Sequence, residues 1–468
     1  MALDYVVIAA YVLGMVGVGW WGMRRATTRS DYLVAGRRLG WAMYSGTMSA
    51  VVLGGASTIG GIALGYRFGV SGAWLVFTIG LGILALSAFF ARRIVRLRVY
   101  TVPEMLDLRY GGSTSMVSGV VMWGYTLMLS VTSTIAYATV FEVLFGLPKA
   151  AGVVIGGVIV VLYSALGGMW SITLTDIVQF IVKTVGILLV LLPTALVAVG
   201  GFGGLQAKLP ASYFDVGSIG TGRIVTYLLI YVFGLLIGQD IWQRVFTART
   251  PRVATAGGLT SGLYCVVYAV AGALIGSAAR VLYPTLANPD DAFATIVTGL
   301  LPAGLRGLVL AAALAAMMST ASGALIACST VAQNDILPKR LLGGDGVRAN
   351  RVATLALGVV VILIAIIVDD VVAALTVAYN LLVGGLLVAI IGGLLWKRGT
   401  RVGAMASMIA GAVTVVACML AFGLLADEPI YYGLLASLAV YVVVSLATPR
   451  TADSVLHSWE QRLAGATA

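Results

Sequence analysis

Apolar residues along this 468-residue chain are gathered into long runs separated by short polar stretches, and several runs reach the roughly 20 residues that a helix needs to cross a bilayer core. The runs predict about thirteen spans, near 3–23, 41–66, 72–91, 115–145, 151–166, 174–199, 224–246, 256–281, 305–331, 351–368, 373–395, 402–425 and 430–446. The expected fold class is an all-α polytopic membrane protein. The first run lacks both a basic leading segment and an A-x-A cleavage site, so it reads as a retained helix rather than a signal peptide. The lipid bilayer is thus the first expected partner.

Composition agrees with the pattern: 60% of residues are hydrophobic, 10% are charged, and the mean hydropathy is +1.04. The charge of +11 is distributed by loop. Arg24, Arg25, Arg29, Arg37 and Arg38 follow the first span, and Arg92, Arg93, Arg96, Arg98 and Arg109 follow the third. Arg244, Arg249 and Arg252 follow the seventh; Lys339, Arg340, Arg348 and Arg351 follow the ninth. Lys397, Arg398 and Arg401 come after the eleventh, and Arg450 after the last. Acidic Asp290, Asp291, Asp369, Asp370, Asp427 and Glu428 fall in the opposite loops. Because positive loops are retained in the cytoplasm, the N-terminus is expected outside and the C-terminus inside a cell membrane. This asymmetry accounts for the basic balance, and no nucleic-acid partner is expected. The single histidine, His457, lies in the tail, so no histidine-centred zinc or nucleophile-base arrangement arises within the spans, and an enzyme or sensor is poorly supported. A channel would need a continuously polar pore, which these spans do not show. Cys265, Cys328 and Cys418 sit in apolar segments without metal-ligand spacing and read as small buried hydrophobes, so no cofactor is expected.

Three polar features interrupt the apolar runs. Asp176 opens a long apolar helix with Gln179 and Lys183 on the same face; an ionisable group at such depth either serves function or sits at the interface, favoured by the helix dipole. Glycines break the second span at Gly54-Gly55 and Gly60-Gly61, and the seventh at Gly234 and Gly238. Such breaks either pack helices closely or free backbone groups to line a cavity, and paired interruptions in two halves of a chain mark a transporter binding site. Finally, Ser319 and Thr320 lie mid-span among small residues, where hydroxyls either bond back to their own helix or offer hard oxygen donors.

The order and spacing of several blocks resemble the sodium:solute symporter family. They are Asp31-Tyr32-Leu33-Val34-Ala35-Gly36-Arg37, Ile59-Gly60-Gly61, Gly167-Gly168 through Thr175-Asp176 to Gln179, Trp242-Gln243-Arg244, Met318-Ser319-Thr320 through Asn334-Asp335-Ile336, and Leu395-Trp396-Lys397-Arg398-Gly399-Thr400. The resemblance implies a 5+5 inverted-repeat core of the LeuT type with a broken first helix in each repeat. Residues 1–40 would form an N-terminal helix and basic loop, 41–199 and 200–398 the two repeats, and 399–468 two peripheral helices and a tail. It implies solute import by Na⁺ symport and alternating access. By resemblance, the coupling Na⁺ is held by the hydroxyls of Ser319 and Thr320 and the carbonyls of Ala50, Leu53 and Ala316, with Asp176 on the ion's exit path.

Ser57 and Val76 stand where sugar-transporting members of that family carry a glutamine and a glutamate, which argues against a sugar. An amino acid, a short carboxylate or a vitamin-like acid is expected instead. Ser57, Tyr125, Ser133, Tyr137, Gln239, Asp240, Tyr379 and Asn380 are the candidates for solute contact; Asp240 either recognises an amine or pairs at i,i+4 with Arg244. Lys183 departs from the family pattern. Two helical turns place it about 10 Å deeper than Asp176, where it would snorkel, pair with Asp176 through Gln179, or stand in the cation site as a lysine does in some proton-coupled transporters of the same fold. Na⁺ coupling is the first expectation and H⁺ coupling through Lys183 the alternative.

Overall fold

The computed structural model describes residues 2–112, 114–337, 346–368, 371–424 and 426–465, with the side chains of 138, 139, 143–145 and 371–373 excepted. Lys339, Arg340, Asp369 and Asp370, used above to read topology, lie outside the described residues. Every regular element among those described is helical, apart from one isolated parallel bridge between Leu39 and Ala248. Among the described residues ten helical stretches are long and apolar enough to cross a membrane, or eleven if one bent pair is counted as a single span, against the thirteen expected. Two of them, Ala56–Leu97 and Lys149–Val199, are 42 and 51 residues long and change direction internally.

The turn in the longer stretch is dictated by glycine. Gly168 takes φ 55° and ψ −139°, a backbone region rarely open to other residues, and a Cβ there would fall on the main-chain oxygen of Tyr32. The Gly167-Gly168 pair therefore redirects the chain into the segment that carries Asp176 and Lys183. Both broken helices are present. The first runs Trp41–Val52, leaves helical geometry at Leu53 (φ −108°, ψ 75°) and resumes as a π-turn at Ala56–Gly60. The second bends by 45° between Thr221–Ile237 and Gln239–Val245, with Gly238 extended at φ −62°, ψ 132°.

Leu305–Ile336 is the central strut: its most apolar window is wholly buried, whereas the other spans bury between 28% and 72% of theirs. It packs on Thr114–Phe145, on Lys149–Lys183 and on the first broken helix. Peripheral helices instead present bare aliphatics such as Val197, Ile367 and Leu420, about 80% exposed, a surface that suits lipid rather than water.

The Asp31 block is explained by its local geometry. Thr28 caps helix Arg29–Val34 and Asp31 closes the reciprocal bond to the Thr28 N–H at 3.2 Å. Asp31 also accepts from the Thr27 and Thr28 hydroxyls at 3.1 and 2.8 Å and from the Trp170 indole at 3.4 Å, and it pairs with Arg38. Burial by itself raises its pKa, but the Thr28, Thr27 and Trp170 donors outweigh it and hold the carboxyl below the ordinary aspartate range. A depressed folded-state pKa contributes stability that is complete above the unfolded value of about 3.9 and fades as pH falls through the folded value. Asp31→Asn is therefore expected to lower the melting temperature at neutral pH, with the gap to wild type narrowing below about pH 4 in a pH series of thermal melts.

Candidate functional site

The first broken helix ends at residues 49–53, and its last carbonyls turn toward the central strut. Ser319 Oγ lies 2.9 Å from the main-chain oxygens of both Ala50 and Ala316, and Thr320 Oγ1 lies 2.7 Å from that of Val51 and 3.4 Å from that of Ala316. Gly54 permits this approach, because a Cβ there would sit 2.5 Å from Thr320 Oγ1. The five residues expected around a cation, Ala50, Leu53, Ala316, Ser319 and Thr320, thus meet where the strut crosses the break.

Lys183 reaches the same place. Its Nζ donates to the carbonyls of Ser49, Ala50 and Leu53, each at 3.2 Å, and the side chain is fully buried. Three donors meet three acceptors, so the ammonium is fully satisfied. It neither snorkels nor bonds to Asp176. The sodium expectation required this side chain to point away; its charge instead occupies the carbonyl cluster, 5.8 Å from the Tyr268 ring centroid.

Asp176 is committed elsewhere. Its Oδ2 accepts from Arg244 Nη2 at 3.2 Å and from the Thr47 hydroxyl, and both members of the ion pair are fully buried. The expected i,i+4 pairing of Asp240 with Arg244 is therefore corrected: Arg244 Nη1 reaches only the Asp240 main-chain oxygen, at 3.4 Å, while its carboxylate partner comes from another helix. Nor are all the arginines and lysines used to read topology solvated loop charges. Arg244 is buried, and so is Arg109, which donates to the carbonyls of Gly393, Trp396, Lys397 and Gly399.

Beside the cation cluster lies a cavity bounded by both broken helices. Ser57, Ser133, Asp240 and Tyr379 line it, as expected of solute contacts, and Thr320 connects it to the cation cluster. Tyr125 stands behind this wall: its hydroxyl donates to Asp240 Oδ1 at 3.0 Å and its ring meets Tyr379 edge-on at 5.4 Å. Three further candidates, like Tyr125, fall outside the lining. Gln239 is consumed by the chain at 100–102, accepting from the Val102 N–H at 2.7 Å and donating to the Tyr100 carbonyl at 3.0 Å. Tyr137 and Asn380 are buried, with polar side-chain atoms that meet no hydrogen-bond partner among the described residues. Sequence reasoning missed Thr132, Tyr231 and an aliphatic wall that includes Leu75, Ile79, Leu129, Leu235 and Leu375. A leucine facing a cavity and one facing lipid give the same signal in an apolar run.

The family model for the sodium:solute symporter family matches residues 32–411, which include both broken helices, the cation cluster and the cavity. The chain belongs to the sodium:solute symporter family. It is 27% identical to a high-affinity proline transporter of Bacillus subtilis, covering 86% of this chain and 89% of that protein. It is 26% identical to the sodium/pantothenate symporter of Escherichia coli, covering 93% and 95%. Among solved structures, a Na⁺-coupled sialic acid symporter in a substrate-bound outward-open state superposes with a TM-score of 0.83 at 18% identity, covering 96% of this chain and 98% of that one. MhsT in complex with L-phenylalanine gives 0.57 at 14% identity, covering 88% and 99%. These likenesses place the fold in the LeuT-type class. Family membership makes the chain a membrane solute transporter and not an enzyme.

Proposed function

We propose that this chain imports a small polar organic solute, of the amino-acid, short-carboxylate or vitamin-like-acid class, by symport and alternating access. The observation that carries the reading is the junction of a cavity between two broken helices with a cluster of inward-turned carbonyls and hydroxyls, bridged by Thr320. Residues 41–199 and 200–398 would be the two repeats, flanked by 1–40 and 399–468, with the N-terminus outside and the arginine-rich loops and C-terminus in the cytoplasm.

Na⁺ is the coupling ion that family membership supports, with Ala50, Leu53, Ala316, Ser319 and Thr320 as its ligands and Asp176 beside the inward exit. Ser319→Ala combined with Thr320→Ala is then expected to raise the Na⁺ concentration needed for half-maximal uptake while leaving folded protein in the membrane. Unchanged Na⁺ dependence in that double variant removes the ligand assignment.

One observation favours a second reading, in which H⁺ carried by Lys183 replaces Na⁺. The ammonium is bonded to the carbonyls of Ala50 and Leu53, and two like charges in a low-dielectric cluster repel strongly. Proteoliposomes separate the readings once a thermal-shift screen has supplied a transported solute. An inward Na⁺ gradient driving accumulation at equal pH supports the first reading; accumulation under a pH gradient in Na⁺-free buffer overturns it in favour of the second.

A further inference from the structure

The cavity wall carries one charged side chain, and it is negative. Among the lining residues Ser57, Thr132, Ser133 and Thr320 are neutral and polar, the others are apolar, aromatic or glycine, and Asp240 alone is ionisable as an acid or base near neutral pH. Asp240 is 3% exposed and takes a hydroxyl donor from Tyr125. No ion pair among the described residues includes it. Arg244, one turn further along the helix, is already engaged with Asp176 and with the Asp240 main-chain oxygen. Asp240 therefore lines the cavity with no cation in contact with its carboxylate.

A buried carboxylate attracts an ammonium strongly and repels another carboxylate by a comparable amount, because water is not there to screen either. The neighbouring rings add to the same preference. Tyr231 and Tyr379 lie 5.4 Å apart on the wall, and aromatic faces attract organic cations. The remaining surface, with Leu75, Ile79, Leu129, Leu235 and Leu375, offers an aliphatic body dispersion contacts and few hydrogen bonds. Resting on the reading of this cavity as the solute site, we propose that Asp240 is the specificity-determining residue that selects solutes bearing a protonated amine on a compact aliphatic body. Acids without an amine are rejected.

The test compares ligands with and without a ring nitrogen, using thermal melts of the purified full-length chain. L-Proline and pyrrolidine carry the ring nitrogen; cyclopentanecarboxylate keeps the ring and the carboxylate without it. The two amines are expected to stabilise the wild-type protein with apparent affinities at least about tenfold tighter than cyclopentanecarboxylate, and Asp240→Asn is expected to erase that preference. Equal or tighter binding of cyclopentanecarboxylate, or no shift with L-proline, L-valine, pyrrolidine and isobutylamine alike, overturns the proposal. This comparison uses the wild-type protein alone and so stands even where the asparagine variant does not fold. Ser133→Trp, which fills the cavity, separates the two levels of the argument. Amine binding that survives Ser133→Trp overturns the cavity reading itself. Binding lost in Ser133→Trp but with the amine preference intact in Asp240→Asn overturns the assignment of Asp240 alone.

Discussion

Lys183→Met is expected, on the second reading in which the Lys183 ammonium stands in for Na⁺, to create a dependence of stability on Na⁺ that the wild-type protein lacks. Removing the ammonium strips the carbonyls of Ser49, Ala50 and Leu53 of a shared donor, and each buried group left unsatisfied costs about 1–3 kcal/mol. The same change vacates a small cluster of oxygen atoms that includes the Ser319 and Thr320 hydroxyls, well suited to a hard monovalent cation. In choline chloride the variant should melt below wild type, and in NaCl it should recover; a ligand present at 100 times its Kd returns about 2.7 kcal/mol. On that reading wild type, with a tethered cation already in place, should respond little to the exchange of salts, whereas Na⁺ symport predicts that NaCl stabilises it. If wild type is stabilised by NaCl as much as the variant, the ammonium yields its place to Na⁺ and the sodium reading holds with Lys183 displaced. Transport adds a second readout: uptake driven by a pH gradient and lost in Lys183→Met assigns the proton to this side chain.

Breaking the Asp176–Arg244 pair from either side is expected to be severely destabilising, and removing both partners far less so. Both side chains are fully buried at 3.2 Å separation, so Asp176→Leu strands a guanidinium and Arg244→Met strands a carboxylate. Loss of one partner from a buried pair costs about 3–5 kcal/mol, whereas apolar replacement of both is often neutral. Asp176→Leu with Arg244→Met should therefore recover most of the stability lost in either single variant, a coupling that a double-mutant cycle of melts reads directly. Near-wild-type stability in both single variants would show that the pair contributes no such anchoring. The pair also ties the first broken helix, through Thr47, to the segment bearing Asp176 and to the second broken helix, through Arg244. Variants that keep the fold but lose it should shift the balance between inward- and outward-facing states, read as altered accessibility of cysteines introduced into the cavity.

Much of this protein is legible from its sequence, because lipid imposes constraints that act on local composition. A crossing helix must be long, apolar and internally hydrogen-bonded, so apolar runs mark the spans without knowledge of their neighbours. Glycines flag both interrupted helices, at 54 and 238, but of the three only Gly168, at φ 55°, holds a backbone angle that calls for glycine. The co-location of Ala50, Leu53, Ala316, Ser319 and Thr320 came through resemblance, since no spacing rule links residues some 270 positions apart. Tertiary structure alone decided who pairs with whom. Sequence proximity favoured Asp240 for Arg244, yet Asp176 is the partner because its helix, redirected at Gly168, packs on the first broken helix, where the Arg244 side chain reaches it. Lys183 had three plausible destinations along its own helix, and only the packing of that helix on the first break shows its ammonium among carbonyls. The aliphatic cavity wall was invisible for a further reason: in a membrane protein hydrophobicity does not distinguish the inside from the lipid-facing outside, so which leucines meet a solute is settled by packing and not by composition.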